Sequence, residues 1–258
     1  LAADGVASIG NAGNGVTVYD SVIDIGTPSA GNTISGNGNN GISANSGTLS
    51  IRGNRIGTDA SGTQARANLT GIGIGGATVL VANNLISGNT QTGIAINSLA
   101  ADAEITDNRI GTDAAGNAKI GNEGSGIRVV KAAPGLIIGA PGHGNQISGN
   151  YRGITLDDTT ADILVQGNNI GLNAAQNGKL GNEETAILMG GNEHQIGGIV
   201  AGAGNVIAGN GSPAMSIGDG GGHHIEGNFI GTNAALASGL GNGTGIVNFT
   251  ANDMVIGG

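Results

Sequence analysis

The ten residues GNRIGTDASG at 53–62 return as DNRIGTDAAG at 107–116, GNNIGLNAAQ at 167–176 and GNFIGTNAAL at 227–236. A chain that rewrites one segment at intervals of 54, 60 and 60 residues places each copy in the same surroundings as the last, and a stacked repeat does that. Aligning every Asn followed two residues later by Ile extends the pattern to Asn32, Asn54, Asn84, Asn108, Asn145, Asn168, Asn205 and Asn228, with Ile34, Ile56, Ile86, Ile110, Ile147, Ile170, Ile207 and Ile230. Between each pair stand Thr33, Arg55, Leu85, Arg109, Gln146, Asn169, Val206 and Phe229, which share no chemistry. Constancy at one position and freedom at the next is the mark of a strand with one buried face.

The spacings of these Asn residues are 22, 30, 24, 37, 23, 37 and 23, so a short turn alternates with a long one and the unit is a pair of turns. The residue after each Ile alternates too: Ser35, Ser87, Ser148 and Ala208 in short turns, Gly57, Gly111, Gly171 and Gly231 in long ones. Two further strands recur in each turn. One carries pairs such as Ile72 and Ile74, Ile127 and Val129, or Ile154 and Leu156; the other carries Leu49 and Ile51, Val79 and Val81, or Ile163 and Val165. Three short strands per turn predict an all-β chain: one triangular parallel β-solenoid over 1–258, of about nine to ten coils and roughly 4.8 Å per coil.

Composition fits. Fifty-four glycines, no cysteine, no tryptophan and only four Phe and Tyr residues exclude a core of aromatics and a disulfide framework, while abundant Ile, Val and Leu exclude disorder. Nine basic against eighteen acidic residues give a net charge of −9 without charge runs, which argues against nucleic acid as a partner. No apolar run approaches the roughly 20 residues of a membrane-spanning helix, so no membrane insertion is expected.

The motifs GNxIGTDxxG and GNxGxGI resemble those of the right-handed parallel β-helix superfamily of pectate lyase-like proteins, and more closely the repeats of large bacterial surface and secreted proteins. The resemblance runs from IGNAGNGVTV at 9–18 to MVIGG at 254–258. It implies a right-handed helix and an extracellular or cell-surface bacterial location. The repeat reaches both ends without an amphipathic capping helix, LAADGVASIGNAG being too short and glycine-rich for one. The sequence is therefore expected to be a segment of a longer repeat protein, or to associate head to tail through its terminal coils.

Chemistry must come from departures from the repeat. Stacked Asn amides read as a hydrogen-bonded ladder rather than a binding face. Asp59 and Asp113 in the TDAxG loops offer oxygens for calcium, but Asn173 and Asn233 replace them later, as an Asx turn allows and a metal site resists. Enzymes of the superfamily carry acids and bases on an outward strand face. The outward column of the Gly-Ile strand, from Ser43 to Val247, holds no acid, so the candidate catalytic cluster is Asp157 and Asp158 with Arg152 in the same coil and Arg128 one coil away. His194 and His223 fall at equivalent inward positions of adjacent coils, as a metal-binding pair or a stacked structural one. Two functions follow. The first is a non-enzymatic adhesin-type stalk or display surface with no cofactor; the second is a polysaccharide lyase, hydrolase or epimerase. A polysaccharide or cell-surface glycan is the expected partner, although only Tyr19 and Tyr151 could stack on sugar rings beside two Phe and no basic groove is evident.

Overall fold

A computed structural model describes residues 10–98, 103–131 and 135–257. Among them there is no helix, and all strands fall into three parallel sheets. Sheet 1 stacks nine Gly-Ile strands from Val16–Val18 to Thr244–Asn248, and sheet 2 nine strands from Ser21–Ile25 to Val255–Ile256. Sheet 3 stacks the eight two-residue strands that follow the marker Asn, from Thr33–Ile34 to Phe229–Ile230. The solenoid therefore makes eight full turns with a ninth rung in two sheets, slightly fewer than the repeat count suggested. Part of the segment weighed above as an N-terminal cap, residues 1–9, lies outside the described residues.

The register is the predicted one. Ile34 pairs with Ile56, and the column continues through Ile86, Ile110, Ile147, Ile170 and Ile207 to Ile230. Every member from Ile56 to Ile207 is fully buried. Strand alternation aims these side chains into one narrow core with the Ile, Val, Leu and Met of the other two sheets. Each buried aliphatic contributes about 1.5–3 kcal/mol by leaving water, and stacking places like on like.

Two polar ladders hold the corners. In the first, the backbone N–H and Nδ2 of each marker Asn both donate to Oδ1 of the next, from Asn32 to Asn228. The remaining Nδ2 hydrogen goes to a strand carbonyl one coil back, as from Asn145 to Ile105 O at 2.7 Å. Buried amides and corner carbonyls are thereby satisfied together. The second ladder has no counterpart in the sequence reading. It runs Asn11, Asn37, Asn68, Asn89, Asn122, Asn150, Asn182, Asn210 and Asn242 along the corner between sheets 3 and 1, with the same geometry.

The Ser and Gly alternation has a physical cause. The Ser87 hydroxyl accepts the N–H of Gly111 at 3.0 Å and that of Ser148 accepts Gly171 N–H at 3.1 Å. Gly111 sits at φ 89° and Gly171 at φ 99°, in the left-handed region that side chains avoid. A Cβ on Gly111 would also run into Oδ1 of the second-ladder Asn150 and the Ser148 carbonyl.

The long turns throw out hairpin-like loops closed by bridges between Thr58 and Ala65, Thr112 and Lys119, and Leu172 and Lys179. These loops lean on one another across two coils: Ala114 N–H donates to Gly62 O, and Ala174 N–H to Gly116 O, each at 2.9 Å. They roof the outward residues of the intervening short turns. Leu85, Gln146 and Val206, expected at a free surface, are 7%, 8% and 6% exposed. Gln146 spans the gap, with Nε2 donating to Gly116 O at 2.8 Å and Leu172 O at 3.0 Å. The outward face of sheet 3 is thus partly a second interior.

Candidate functional site

The strand Arg152–Leu156 of sheet 1 ends at a corner where Asp157 and Asp158 leave it. Arg128 points outward beside Thr155 on the neighbouring rung, and its guanidinium reaches forward to Asp157, Nη2 to Oδ2 at 2.7 Å. Asp158 is exposed and packs its carboxylate over Gly190 of the next coil, where a Cβ would collide with it. Among the described residues it has no hydrogen-bond or ion-pair partner. Beside these acids lies a cleft of about 360 Å³, walled by Val130, Leu156, Leu188 and Met189. Arg152 does not join them. It stands at the other end of its strand, about 16 Å away by extended-chain geometry, with Nε on Glu184 Oε2 at 2.6 Å and the Tyr151 hydroxyl on Glu184 Oε1 at 2.7 Å. The Tyr151 hydroxyl and then Arg152 hold the Glu184 carboxyl below its usual range. The structure thus unites Arg128, Asp157 and Asp158, and puts Arg152 in a separate surface cluster.

The histidines are where their column predicts. His194 and His223 occupy the core position held in earlier coils by Leu49, Val79, Leu136 and Ile163, and neither is exposed. Their rings stack with centroids 5.2 Å apart and planes 12° from parallel. Ile163 N–H donates to His194 Nδ1 at 3.2 Å and His194 N–H to His223 Nδ1 at 3.3 Å, while His194 Nε2 meets Gly190 O at 3.0 Å. Three of the four ring nitrogens are thereby engaged with backbone; His223 Nε2 is buried without a partner. Among the described residues no group of three or more His, Cys, Asp or Glu side chains is placed to hold a metal ion.

The loop oxygens considered for calcium work on their own backbone. Asp113 Oδ1 accepts N–H from Asn117 at 2.7 Å and Ala118 at 3.1 Å, and Asn173 Oδ1 accepts from Asn177 at 3.0 Å and Gly178 at 3.2 Å. Carboxylate and amide oxygens accept the same two loop N–H groups, four and five residues on, which accounts for their exchange along the chain.

A family model described as right-handed beta helix region matches residues 6–170, well over half of the chain. The chain belongs to this family. Neither a curated protein nor a solved structure matches it.

In this right-handed β-helix the imidazole pair makes the C-terminal coils acid-sensitive. Burial, and then the charge of His223 beside it, lower the His194 pKa to about 4; burial lowers that of His223 too. An unfolded His titrates near 6.5, so the unfolded chain binds protons first as pH falls. The stability due to neutral His194 is complete above pH 6.5 and drains away as pH drops toward 4, by roughly 3 kcal/mol over that window. Denaturant unfolding at a series of pH values should show that slope in the parent β-helix. It should flatten in His194→Leu, where Leu copies the residue found at this height in other coils. An unchanged slope in the variant would assign the acid sensitivity elsewhere.

Proposed function

We propose that the chain is a non-enzymatic, extracellular structural module of a bacterial surface or secreted protein, a rigid stalk or display rod of the adhesin type. The observation that carries this reading is the outward column of sheet 1. It runs Thr17, Ser43, Gly73, Ala95, Arg128, Thr155, Leu188, Ser216 and Val247 and offers no general acid or base. Its one charged member, Arg128, is committed to Asp157. Most of the buried Asn residues, meanwhile, serve the corners. Polar chemistry in this chain is spent on stacking.

A glycan-active enzyme is the second reading, favoured by unpartnered Asp158 at the rim of the 360 Å³ cleft. There Asp158 or Asp157 would move the proton and Arg128 would hold a substrate carboxylate. The two readings part on turnover. Incubation with a panel of uronans and neutral glycans, followed by ultraviolet absorbance of unsaturated ends and by reducing-end release, is expected to show no product. Product formed by the parent chain and lost in the double variant Asp157→Ala, Asp158→Ala would replace the structural reading with the enzymatic one.

A further inference from the structure

Over sheet 3, between the first Asn corner and the loop roof, two adjoining hollows of about 290 and 350 Å³ share Asn83, Asp107 and Arg109 and run together along the solenoid axis. Both are polar. Arg55 and Arg109 stand in the groove two rungs apart, with Leu85 between them, which at about 4.8 Å per rung separates them by roughly 10 Å. Neither guanidinium has an ion pair or hydrogen bond among the described residues. The one acid of the groove, Asp107, is turned to His143, whose Nδ1 lies 3.0 Å from its Oδ2. An arginine held over a surface without a carboxylate partner is a ready receptor for an anion from outside.

Farther along the groove the side chains change role. Gln146 and Asn169, on adjacent rungs, are 8% and 7% exposed. Each spends its amide hydrogens on loop carbonyls, Gln146 on Gly116 O and Leu172 O, Asn169 on Leu172 O and Asn173 O. Their oxygens, Gln146 Oε1 and Asn169 Oδ1, are buried acceptors with no donor, and both residues line the second hollow. Both oxygens are closed off from solvent, Gln146 Oε1 beneath Gly116 of the loop roof, so a molecule in the groove meets the arginines and not these acceptors.

We propose that the sheet 3 groove binds an extended polyanion along the solenoid axis. Arg55 and Arg109 take its anionic groups. The rung spacing is close to the advance of one sugar ring in an extended glycan, so the two arginines meet anions about two units apart. An acidic saccharide and a polyol phosphate share this chemistry. The inference goes beyond the structural role proposed above and is independent of turnover at the Asp157 corner, which lies beyond sheet 1.

The test is titration calorimetry of the full chain with a hexameric oligouronide, a glycerol phosphate oligomer and a neutral hexasaccharide, at low and moderate ionic strength. Binding of either anion, weakened by salt and about tenfold by Arg55→Ala or Arg109→Ala, supports the proposal; which of the two binds names the source. Lys131→Ala, exposed just past the Ser125–Val129 strand of sheet 1, should bind like the parent. Both groove arginines lack partners among the described residues, so their variants should melt with the parent and a loss of binding reads as lost contact. Failure of both anions to bind, equal binding of the neutral hexasaccharide, or anion binding indifferent to both arginines would overturn it.

Discussion

Replacing Ile147 with Asp is expected to abolish cooperative folding. Ile147 is fully buried, with Ile110 and Ile170 on the adjoining rungs, and no cation faces it from the column. A carboxylate there would be desolvated without a partner, at a cost of at least ~5 kcal/mol, comparable to the whole stability of an ordinary domain. The neighbouring position separates the two faces of the strand. Arg109→Asp, on the exposed face, should shift stability by no more than about 0.5 kcal/mol. Gln146→Asp should cost an intermediate ~2–3 kcal/mol, because it removes the two donations that tie loop to loop across Gly116 and Leu172. Thermal melts should rank the damage as greatest for Ile147→Asp, then Gln146→Asp, then Arg109→Asp. Equal damage at Ile147 and Arg109 would contradict the inward and outward assignment of sheet 3.

The second large effect is expected inside the first Asn ladder. Asn145 accepts from Asn108 N at 3.0 Å and Nδ2 at 2.9 Å, and donates to Ile105 O at 2.7 Å and Asn168 Oδ1 at 2.9 Å. Leu at this position keeps the bulk and removes all four bonds; the buried Asn108 N–H is left unpaired, and the Ile105 carbonyl keeps only the Gly139 N–H. A loss of ~3–5 kcal/mol follows. Asn145→Asp, at a pH where the carboxyl is protonated, keeps the acceptor and one O–H donor in place of two amide hydrogens, so it should retain more stability than Asn145→Leu. Calorimetric melts at that pH decide it; equal stability for Leu and Asn would mean that the ladder contributes little.

What the residues disclosed in advance was whatever recurs at a constant distance. The Asn-x-Ile motif keeps the ladder Asn two residues from the core Ile in every turn, so one alignment exposed a ladder, a core column and a sheet register. It also placed His194 over His223, because the third strand keeps its own short spacing. The second ladder escaped because a loop of changing length lies inside its spacing. Asn37 follows Asn32 by five residues, whereas Asn68 follows Asn54 by fourteen and Asn122 follows Asn108 by fourteen. The GN dipeptides at 36–37, 88–89, 121–122, 149–150, 181–182, 209–210 and 241–242 were the available signal.

The loop roof was hidden for a different reason. Burial of Leu85, Gln146 and Val206 depends on contacts between loops of alternate coils, such as Ala174 to Gly116, and a strand pattern read one coil at a time cannot show them. The Asp157 corner was visible as an unusual pair of acids. Its division into Arg128 with Asp157 and Arg152 with Glu184 depends on which end of a strand each residue occupies, and sheet pairing decides that. The arginine groove was legible only as two entries, Arg55 and Arg109, in a column of mixed chemistry.

The central claim is that the two Asn ladders of this β-helix are stacking devices. Residue-resolved hydrogen exchange at the backbone amides of Asn108, Asn145 and Asn168, each bonded to the next Asn Oδ1 at 3.0 Å, tests it most directly. The account predicts exchange only through global opening, with rates unaltered by a polyanion in the groove beside them. Fast exchange at these amides in the folded chain, or protection that appears only with a bound ligand, would contradict it.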